Sequence, residues 1–359
     1  MIIGIDVREG TKINKAGKGE YVYNLVSSLL PHSEHTFLLF SDNALPTEWQ
    51  QSNVRAIVFN TSPSIWQLLT FLYLEFLRPV DVYFSTTSLI IPALLRSVPV
   101  VTTLFDFVSF LFPDTHQQRV VVLEKLWMSG AIRYSKRLLA ISHHTKQDAI
   151  KLFHCPAEKI TVTHLAPAFD HHQEEIDLGS GNNILFIGTL EPRKNIVRLV
   201  EAFNLLREEH LPARLVLAGN WGWQSEDIKL AIDNSPFKSD IEVLGYVSPA
   251  QKVSLYRWAT VLVFPSLYEG FGLPPLEAMS LGVPVITANN SSLPEVVGNA
   301  GVLIDPLSVA ELQAAIRRVL IDQEFREQLI SKGKVQAQRF NWSSTATTTL
   351  SVISSIRPR

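Results

Sequence analysis

The stretch LYEGFGLPPLEAMSLGVPVITANNSSL, residues Leu267 to Leu293, indicates the kind of fold that this chain adopts. It follows the apolar run Thr260–Phe264, whose short length and β-branched residues are typical of a buried parallel strand. Glycines come next, and then a pair of prolines that predicts the start of a helix. Glycines before a helix expose backbone N–H groups at the positive end of the helix dipole, where a phosphate binds well. The stretch therefore predicts a strand, a loop and a helix arranged around an anion.

Two carboxylates bracket this predicted anion site. Glu269 precedes the glycines, and Glu277 lies about one turn into the helix, eight residues later. A carboxylate accepts hydrogen bonds from sugar hydroxyls but repels a diphosphate, so we expect both side chains to contact hydroxyls beside the phosphates. That layout fits a nucleotide-sugar, which carries a hydroxylated ring on each side of its phosphates. The alternative is structural, with Glu269 as a surface charge and Glu277 as a partner of the helix dipole.

The segment EGFGLPPLEA resembles the E-x7-E signature of the retaining glycosyltransferases of family 4, which have the GT-B architecture. Similar motifs extend from Gly4 to about Trp342. The resemblance implies that Glu269 lies near the donor sugar and that Glu277 holds the ribose of the nucleotide. It also assigns a stretch of loop backbone to the donor phosphates, namely Gly270, Phe271, Gly272 and Leu273.

A second motif, GTLEPRKN, supplies two adjacent cations after a predicted strand that begins at Asn183 and ends near Gly188. The carboxyl ends of such strands face the crevice where α/β sheets bind ligands. Arginine offers phosphate a planar fork, and lysine adds a point charge. The segment resembles the diphosphate-binding motif of the family, which implies that Arg193 and Lys194 bind the donor diphosphate and stabilise it as a leaving group. A plain charged turn is the alternative.

Two further strands are predicted to end at the same site. The run Arg214–Asn220 ends at Gly219, and the run Ile241–Val247 contains Tyr246. The segment around Tyr246 resembles the one that borders the nucleotide base in the family, although no side chain there distinguishes uridine from guanosine. The later segment Ser291–Gly298 resembles the S-x-x-P-E-V-x-G turn, which we interpret as a capped short helix that supports the site.

The first half of the chain opens with an apolar run, Ile2–Val7, a segment with Gly17 and Gly19, and a helical pattern from Glu20. A strand, a glycine loop and a helix form the first unit of a doubly wound fold. The segment AGKGEY resembles the family loop that faces the donor phosphates and the acceptor, which assigns Gly17 to donor binding. A plain turn is the alternative.

Strand-like runs separated by helical patterns continue along the chain and predict parallel βαβ units. Together with the resemblance, they indicate an α/β protein of GT-B architecture, in which two Rossmann-like domains with parallel sheets face each other across a cleft. We expect an N-terminal acceptor domain at 1–171, a linker at 172–183 and a donor domain at 184–338. The remaining residues, 339–359, are expected to form a helix that crosses back to the N-terminal domain.

One motif departs from the family pattern. Residues 103–107, at the end of a predicted strand, read TLFDF, whereas many relatives have T-x-H-D-L. Phe105 therefore stands where histidine is usual. Phenylalanine cannot share a proton, which leaves Asp106 as the candidate acceptor-orienting catalytic residue or, equally, as a strand-end cap. Phe105 is expected to line an apolar acceptor face with Phe107, Phe110 and Phe112, unless these rings are ordinary core. Another aromatic segment, Ile65–Leu77, is expected to be a core helix, with an acceptor or membrane face as the alternative.

Composition limits the remaining functions. The 359 residues have a hydrophobic fraction of 46% and a formal net charge of −2, which fits two cores and no nucleic-acid partner. The single cysteine, Cys155, excludes an intrachain disulfide framework and fits a reducing compartment. No apolar run reaches the length of a membrane helix. We therefore expect a cytoplasmic protein that is soluble or at most peripheral at a membrane.

The motifs combine into one functional hypothesis. The chain is expected to move a hexosyl group from a GDP- or UDP-linked donor to a hydroxyl of a glycan or lipid-linked acceptor, with retention of configuration. Similarity to the T-x-H-D-L subgroup favours mannose and surface-polysaccharide synthesis. The chain contains no D-x-D triplet, so we expect neither a metal nor any cofactor besides the donor itself. Because of Phe105, a nucleotide-sugar-binding subunit without turnover is the alternative, and the oligomeric state stays open.

Overall fold

The computed structural model describes residues 1–13, 15, 17–113, 118–169 and 181–356, and for residues 118–120 and 123 only the backbone. These residues divide into two compact domains. The first domain comprises 1–113, 118–165 and 341–356, and the second comprises 166–169 and 181–340. Most of the predicted linker, 172–180, lies outside the described residues.

The first domain is built on a sheet of seven parallel strands in the order β3-β2-β1-β4-β5-β6-β7. The strands are β1 (Ile2–Asp6), β2 (Thr36–Ser41), β3 (Val54–Val58), β4 (Val82–Ser85), β5 (Val100–Leu104), β6 (Arg137–Ala140) and β7 (Ile160–Val162). Most of these strands are apolar and buried because helices cover both faces of a parallel sheet. The strand order reverses between β1 and β4, which therefore flank the topological switch point of this sheet.

Helices connect these strands. They are α1 (Gly17–Leu29), α2 (Pro63–Leu72), α3 (Ile90–Leu94), α4 (Val108–Leu111), α5 (Gln118–Tyr134) and α6 (His143–Phe153). A short 3-10 helix, Arg8–Thr11, follows β1, and a π-helical turn, Tyr73–Leu77, extends α2. The hydroxyl oxygen of Ser142 caps α6 by accepting a hydrogen bond from the N–H of Thr145 at 2.9 Å.

The second domain has a sheet of six parallel strands in the order β10-β9-β8-β11-β12-β13. The strands are β8 (Asn183–Ile187), β9 (Arg214–Ala218), β10 (Ile241–Gly245), β11 (Val261–Phe264), β12 (Val285–Ala288) and β13 (Val302–Ile304). The helices are α7 (Ile196–Glu208), α8 (Glu226–Asp233), α9 (Pro249–Trp258), α10 (Leu273–Ser280), α11 (Leu293–Val297), α12 (Val309–Ile321) and α13 (Gln323–Ala337). Its switch point lies between β8 and β11.

The last helix, α14 (Trp342–Ser354), belongs to the first domain. The hydroxyl of Thr345 donates to the carbonyl oxygen of His164 at 2.6 Å. The ring of Trp342 lies 6.2 Å from that of Tyr21 on α1, measured between centroids. These contacts attach the end of the described chain to the domain with which it began.

Two doubly wound, Rossmann-like domains with parallel sheets confirm the predicted α/β class. One local prediction was wrong: Gly17 and Gly19 lie in the first turn of α1 and not in a loop. Packing explains the second glycine, because a Cβ atom at Gly19 would lie 2.9 Å from the carbonyl oxygen of Glu9. In the described residues, no helix is long and apolar enough to cross a membrane.

Candidate active site

The candidate site lies at the switch point of the second sheet, where β8 and β11 end side by side. The two loops that follow these strands are tied together. The carbonyl oxygen of Arg193 accepts a hydrogen bond from the N–H of Leu267 at 2.8 Å. The side-chain amide of Asn195 donates to the carbonyl oxygens of Pro265 and Pro306, at 3.1 and 2.7 Å. The loops therefore hold their side chains in a fixed relationship.

Charged side chains from both loops meet in one buried cluster. Lys194 Nζ lies 2.6 Å from Glu269 Oε1, and Arg193 Nη1 lies 3.2 Å from the same oxygen. Arg193 Nη2 also pairs with Glu191 Oε1 at 2.6 Å. These four side chains are only 10% to 13% exposed, so water screens their charges poorly. The two predicted diphosphate ligands and the predicted sugar-side carboxylate are thus direct neighbours.

The charges in the cluster shift the pKa values of its members. Burial alone would raise the pKa of Glu269, but Lys194 and Arg193 beside it hold that pKa below its usual value. Burial lowers the pKa of Lys194, and the attraction of Glu269 opposes this effect. At neutral pH, Glu269 is therefore a carboxylate that accepts a hydrogen bond from Lys194 and forms an ion pair with Arg193.

The glycine loop leads into α10 as the sequence predicted. Gly272 has a φ of 112° and precedes the helix, and a Cβ atom there would lie 2.8 Å from Leu293 Cδ2. Only glycine fits this position without strain. The next residues, Pro274 and Pro275, have no N–H, so the donors at the start of this helix are those of Gly272 and Leu273. The predicted anion site therefore has fewer N–H donors than the N-terminus of a helix without prolines.

Polar residues after β12 form hydrogen bonds with the backbone of this loop. The hydroxyl oxygen of Ser291 accepts the N–H of Glu269 at 3.0 Å. The hydroxyl of Ser292 lies within hydrogen-bond distance of two carbonyl oxygens, at 2.9 Å from that of Glu269 and 2.6 Å from that of Phe271. These contacts agree with the predicted supporting role, but the predicted helix cap was wrong, because the hydroxyl of Ser292 at the N-cap of α11 bonds to the loop and not to the helix.

Glu277 is held by two residues of the neighbouring helix that the sequence analysis missed. Its side chain is 3% exposed; Oε1 accepts from Lys252 Nζ and Oε2 from the Tyr256 hydroxyl, both at 2.7 Å. Lys252 and Tyr256 lie one turn apart on α9, so they share a face of that helix. Lys252 is 24% exposed and is thus the member of this triad that remains open to solvent. Burial and the nearby Glu277 raise the pKa of Tyr256 well above its usual value, so its hydroxyl stays a donor.

The other predicted donor-binding residues lie at the carboxyl ends of neighbouring strands. A Cβ atom at Gly219 would lie 2.0 Å from the carbonyl oxygen of Gly188, so these glycines allow the segments after β8 and β9 to touch. Tyr246 follows β10 and is 57% exposed. The only clear signal for Lys252 and Tyr256 was their helical spacing just after this segment.

The remaining site candidates belong to the first domain. Asp106 Oδ1 accepts the N–H of Val108 at 3.2 Å, which supports the alternative that it caps a strand end. Gly17 is exposed, and a Cβ atom there would meet nothing within 4 Å. Phe107 is fully buried against Phe110 and Phe153, which supports the alternative that this ring is ordinary core. Phe105 is partly exposed and meets the ring of Tyr21 edge-on, at 5.0 Å between centroids.

Comparison with known proteins gives a consistent picture. The family described as "Glycosyl transferases group 1" matches residues 169–336. O-antigen chain mannosyltransferase B of Escherichia coli is 37% identical over 262 residues, which cover 70% of this chain and 68% of that protein. Sucrose-phosphate synthase of Thermosynechococcus elongatus superposes with a TM-score of 0.79 at 17% identity, covering 99% of this chain and 98% of the other. HepE of Anabaena, in complex with UDP and glucose, superposes with a TM-score of 0.76 at 19% identity, and the match covers 99% of both chains. At these identities, the two solved structures are evidence for the GT-B fold.

Proposed function

This chain belongs to the glycosyltransferases of group 1, and we propose that it transfers a mannosyl group from a nucleotide-diphosphate sugar to a hydroxyl of a growing surface glycan, with retention of configuration. The carrying observation is the ion pair between Lys194 and Glu269 at the switch point of the second sheet. It places cations suited to a diphosphate directly beside a carboxylate suited to sugar hydroxyls. The similar E. coli protein is an O-antigen chain mannosyltransferase, which supports the sugar and the product.

Arg193 and Lys194 are the proposed ligands of the donor diphosphate. Breaking the bond between sugar and phosphate adds negative charge to the leaving diphosphate. Cations fixed in a poorly screened site stabilise that charge without reorganising. Glu269 holds both cations in place in the structure, and an arriving diphosphate would share them with it. The N–H groups of Gly272 and Leu273 add donors at the start of α10.

Glu277 is the proposed ligand of the ribose. Lys252 and Tyr256 each bond one of its oxygens, and this orients the carboxylate. Each oxygen keeps a second lone pair for a hydroxyl of the ligand. HepE, a protein of the same fold, was crystallised with UDP and glucose, which supports a nucleotide-sugar as the ligand class.

We also propose that the reaction needs no metal, because two cations already face the place of the diphosphate. Activity that persists in excess chelator would support this proposal, and a loss that added manganese restores would overturn it.

The alternative function is a binding subunit without turnover. The comparisons do not favour it, because the similar proteins include two O-antigen chain mannosyltransferases, which are enzymes.

A lipid surface is a further proposed partner, and α2 with its π-helical extension carries this proposal. Side chains on one side of this segment pack inward, but five large apolar residues are exposed: Ile65, Leu68, Leu72, Phe76 and Leu77. Phe76 is the most exposed of these five side chains, at 74%. The predicted core helix therefore has a second, apolar face, which suits peripheral contact with a bilayer. Co-sedimentation with anionic vesicles should fall in the double variant Leu68→Ser, Phe76→Ser, and equal binding would refute the contact.

The central experiment is a binding and transfer assay. Thermal shift with GDP-mannose, UDP-glucose and the free nucleotides identifies the donor, since a ligand at 100 times its Kd stabilises by about 2.7 kcal/mol. Transfer to α-linked mannobiose is then followed by NMR of the new anomeric proton. We expect binding of one donor and an α-linked product. Absence of stabilisation by every nucleotide-sugar, with the protein folded, would contradict the proposed function.

A further inference from the structure

A short loop of the second domain exposes two tryptophans at the same edge of the sheet as the candidate site. This tryptophan loop, residues 219–225, follows β9 and reads GNWGWQS. Of the seven tryptophans, all of which the structure describes, only Trp221 and Trp223 are exposed, at 41% and 49%. The other five are buried or half-buried. The loop therefore presents to solvent a residue type that the rest of the protein covers.

Backbone hydrogen bonds fix the tryptophan loop to the segment that leads into the proposed diphosphate cations. The N–H of Leu190 donates to the carbonyl oxygen of Asn220, and the N–H of Gly222 donates to that of Leu190, both at 2.9 Å. Leu190 and Trp221 form a parallel β-bridge. A Cβ atom at Gly222 would lie 3.0 Å from Glu191 Cβ, so glycine allows this close packing. The two rings are thus carried by a loop whose backbone is anchored beside the candidate site.

The polar side-chain groups of the tryptophan loop are available to a ligand. The indole N–H groups of Trp221 and Trp223 make no hydrogen bond to a described residue, and neither do the exposed side chains of Asn220 and Gln224. The loop itself contains no charged residue. Lys229 Nζ, on α8, lies 5.1 Å from the centre of the Trp221 ring, a cation–π contact that favours one orientation of this ring. The loop therefore offers two apolar rings with neutral hydrogen-bonding groups around them.

This combination of groups suits a neutral carbohydrate. The face of an aromatic ring carries partial negative charge, so it packs well against the C–H groups on one side of a sugar ring. The hydroxyls of that sugar can then form hydrogen bonds with amide and indole groups beside the ring. An anionic lipid surface would instead favour cations among the apolar residues, and the tryptophan loop has none.

The proposed donor contacts leave both tryptophans without a role. The diphosphate is assigned to Arg193 and Lys194 and the ribose to Glu277, while the family resemblance places the base beside Tyr246. A growing glycan, in contrast, presents several sugar units behind the one that receives the new sugar. These preceding units are the part of the reaction partners that still lacks a binding surface in the second domain.

We propose that Trp221 and Trp223 form a stacking subsite for the preceding sugar units of a neutral acceptor glycan. This inference rests on the proposed function and adds a site that makes the enzyme sensitive to the length of its acceptor. The rings stack on successive parts of the glycan, and the side chains of Asn220 and Gln224 bond to its hydroxyls. Stacking of the nucleotide base on the same rings is the competing account.

The test compares a long and a short acceptor. Initial rates with GDP-mannose are measured on α-linked mannotetraose and mannobiose for wild type and for the double variant Trp221→Ala, Trp223→Ala. We expect the KM for mannotetraose to rise about fivefold or more, the fold-change for one lost aromatic contact. The KM for mannobiose should rise less, because the shorter glycan has fewer units to stack. The dissociation constant of GDP should stay within about twofold of wild type, by the additivity of distant sites.

Matched variants control for changes of surface and of folding. Leu230→Ala removes a 56% exposed apolar side chain of α8 and should leave the three constants unchanged. The double variant Trp221→Phe, Trp223→Phe keeps two aromatic rings and should recover most of the affinity for mannotetraose. The single variant Trp223→Ala tests the subsite if the double alanine variant does not fold.

Several results would overturn the proposal. One is an equal KM for mannotetraose in wild type and in the folded alanine variants, whether or not sedimentation velocity shows that the rings hold two copies of the chain together. Another is a weaker affinity for GDP without a change specific to mannotetraose, which would assign the rings to the nucleotide base. Wild-type protein without transfer would contradict the proposed function alone. Saturation-transfer NMR of mannotetraose would then decide the subsite, since the signal should be present with wild type and lost with the double alanine variant, and equal signals would refute it.

Discussion

Lys194 Nζ and Glu269 Oε1 lie 2.6 Å apart, although 75 positions separate the two residues in the sequence. Each residue stands in a loop that follows a central strand, and those strands are neighbours at the switch point. The contact therefore joins the two motifs that the sequence assigned to different parts of one ligand. It also means that the cations proposed to bind the diphosphate are held by the carboxylate proposed to lie beside the sugar.

The first prediction concerns the diphosphate. Arg193→Ala should weaken nucleotide-diphosphate binding by about 1.5–3 kcal/mol, the range for a hydrogen bond to a charged group. Isothermal titration calorimetry with GDP, UDP and pyrophosphate measures this loss, and the variant should bind all three ligands more weakly. Arg317→Ala is the control, because this exposed arginine pairs with the surface residue Glu209. Unchanged affinity in a folded Arg193→Ala protein would contradict the assignment.

The second prediction separates the two glutamates. Glu277→Ala should mainly raise the nucleotide dissociation constant, because contacts with ribose exist in the ground state. Glu269→Ala should mainly lower kcat, because Glu269 lies where charge develops on the sugar and leaving group. Steady-state kinetics with direct nucleotide titration gives both parameters. Similar changes in the same parameter for the two variants would mean that the roles are misassigned.

A third prediction concerns Lys252, which holds Glu277 at 2.7 Å and is partly exposed. Lys252→Met should weaken binding of the ribonucleotide but not of pyrophosphate, in contrast to Arg193→Ala. It should also reduce the penalty for a 2′,3′-dideoxy nucleotide, because the variant no longer orients the carboxylate that reads these hydroxyls. Lys252→Arg should restore part of the affinity. An equal loss for pyrophosphate would indicate a general structural effect.

The fold and the position of the candidate site could be predicted because their sequence signals are local. Gly188 ends a strand and is followed by Arg193, and Glu269 and Glu277 flank a loop and a helix start, so short windows of sequence contain each motif. Doubly wound topology then brings the carboxyl ends of adjacent strands to one edge. Residues at those ends share a site even when the sequence gives no direct evidence of their contact.

Other features depend on which elements pack together. The spacing of Lys252 and Tyr256 shows that they share a helix face, but not that this face meets Glu277 on another helix. The aromatic stretch around Phe107 fitted either an acceptor face or ordinary core, and tertiary packing places this ring in the core. Gly19 suggested a loop, whereas it lies in α1, where the absence of a Cβ atom leaves room for the carbonyl oxygen of Glu9.

The fourth prediction concerns pH. The pKa of Glu269 in the folded protein is lowered from 4.5, so the ionised form stabilises the fold at pH values above 4.5. This stability should be lost as the pH falls through the depressed pKa, because Glu269 then takes up a proton. Glu269→Gln lacks the titrating group, so its Tm difference from wild type should be largest above pH 4.5 and shrink in more acidic solution. A difference that is constant from pH 3 to 8 would contradict the ion-pair account.

The last prediction concerns Phe105, where histidine is usual in relatives with the T-x-H-D-L pattern. If the donor diphosphate and the cations of the second domain drive the reaction, the wild-type protein should transfer sugar with phenylalanine in this position. Phe105→His should then change kcat only modestly. The structure supplies a reason: Lys18 Nζ lies 5.4 Å from the centre of this ring, and a nearby cation disfavours protonation of the new imidazole. Initial rates on lipid-linked and soluble mannosides, at saturating donor, measure the effect, and Phe105→Leu controls for loss of the aromatic contact with Tyr21. Wild-type inactivity on every acceptor, with activity appearing only in Phe105→His, would show that a protonatable group is required and that the wild-type chain binds nucleotide-sugar without turnover.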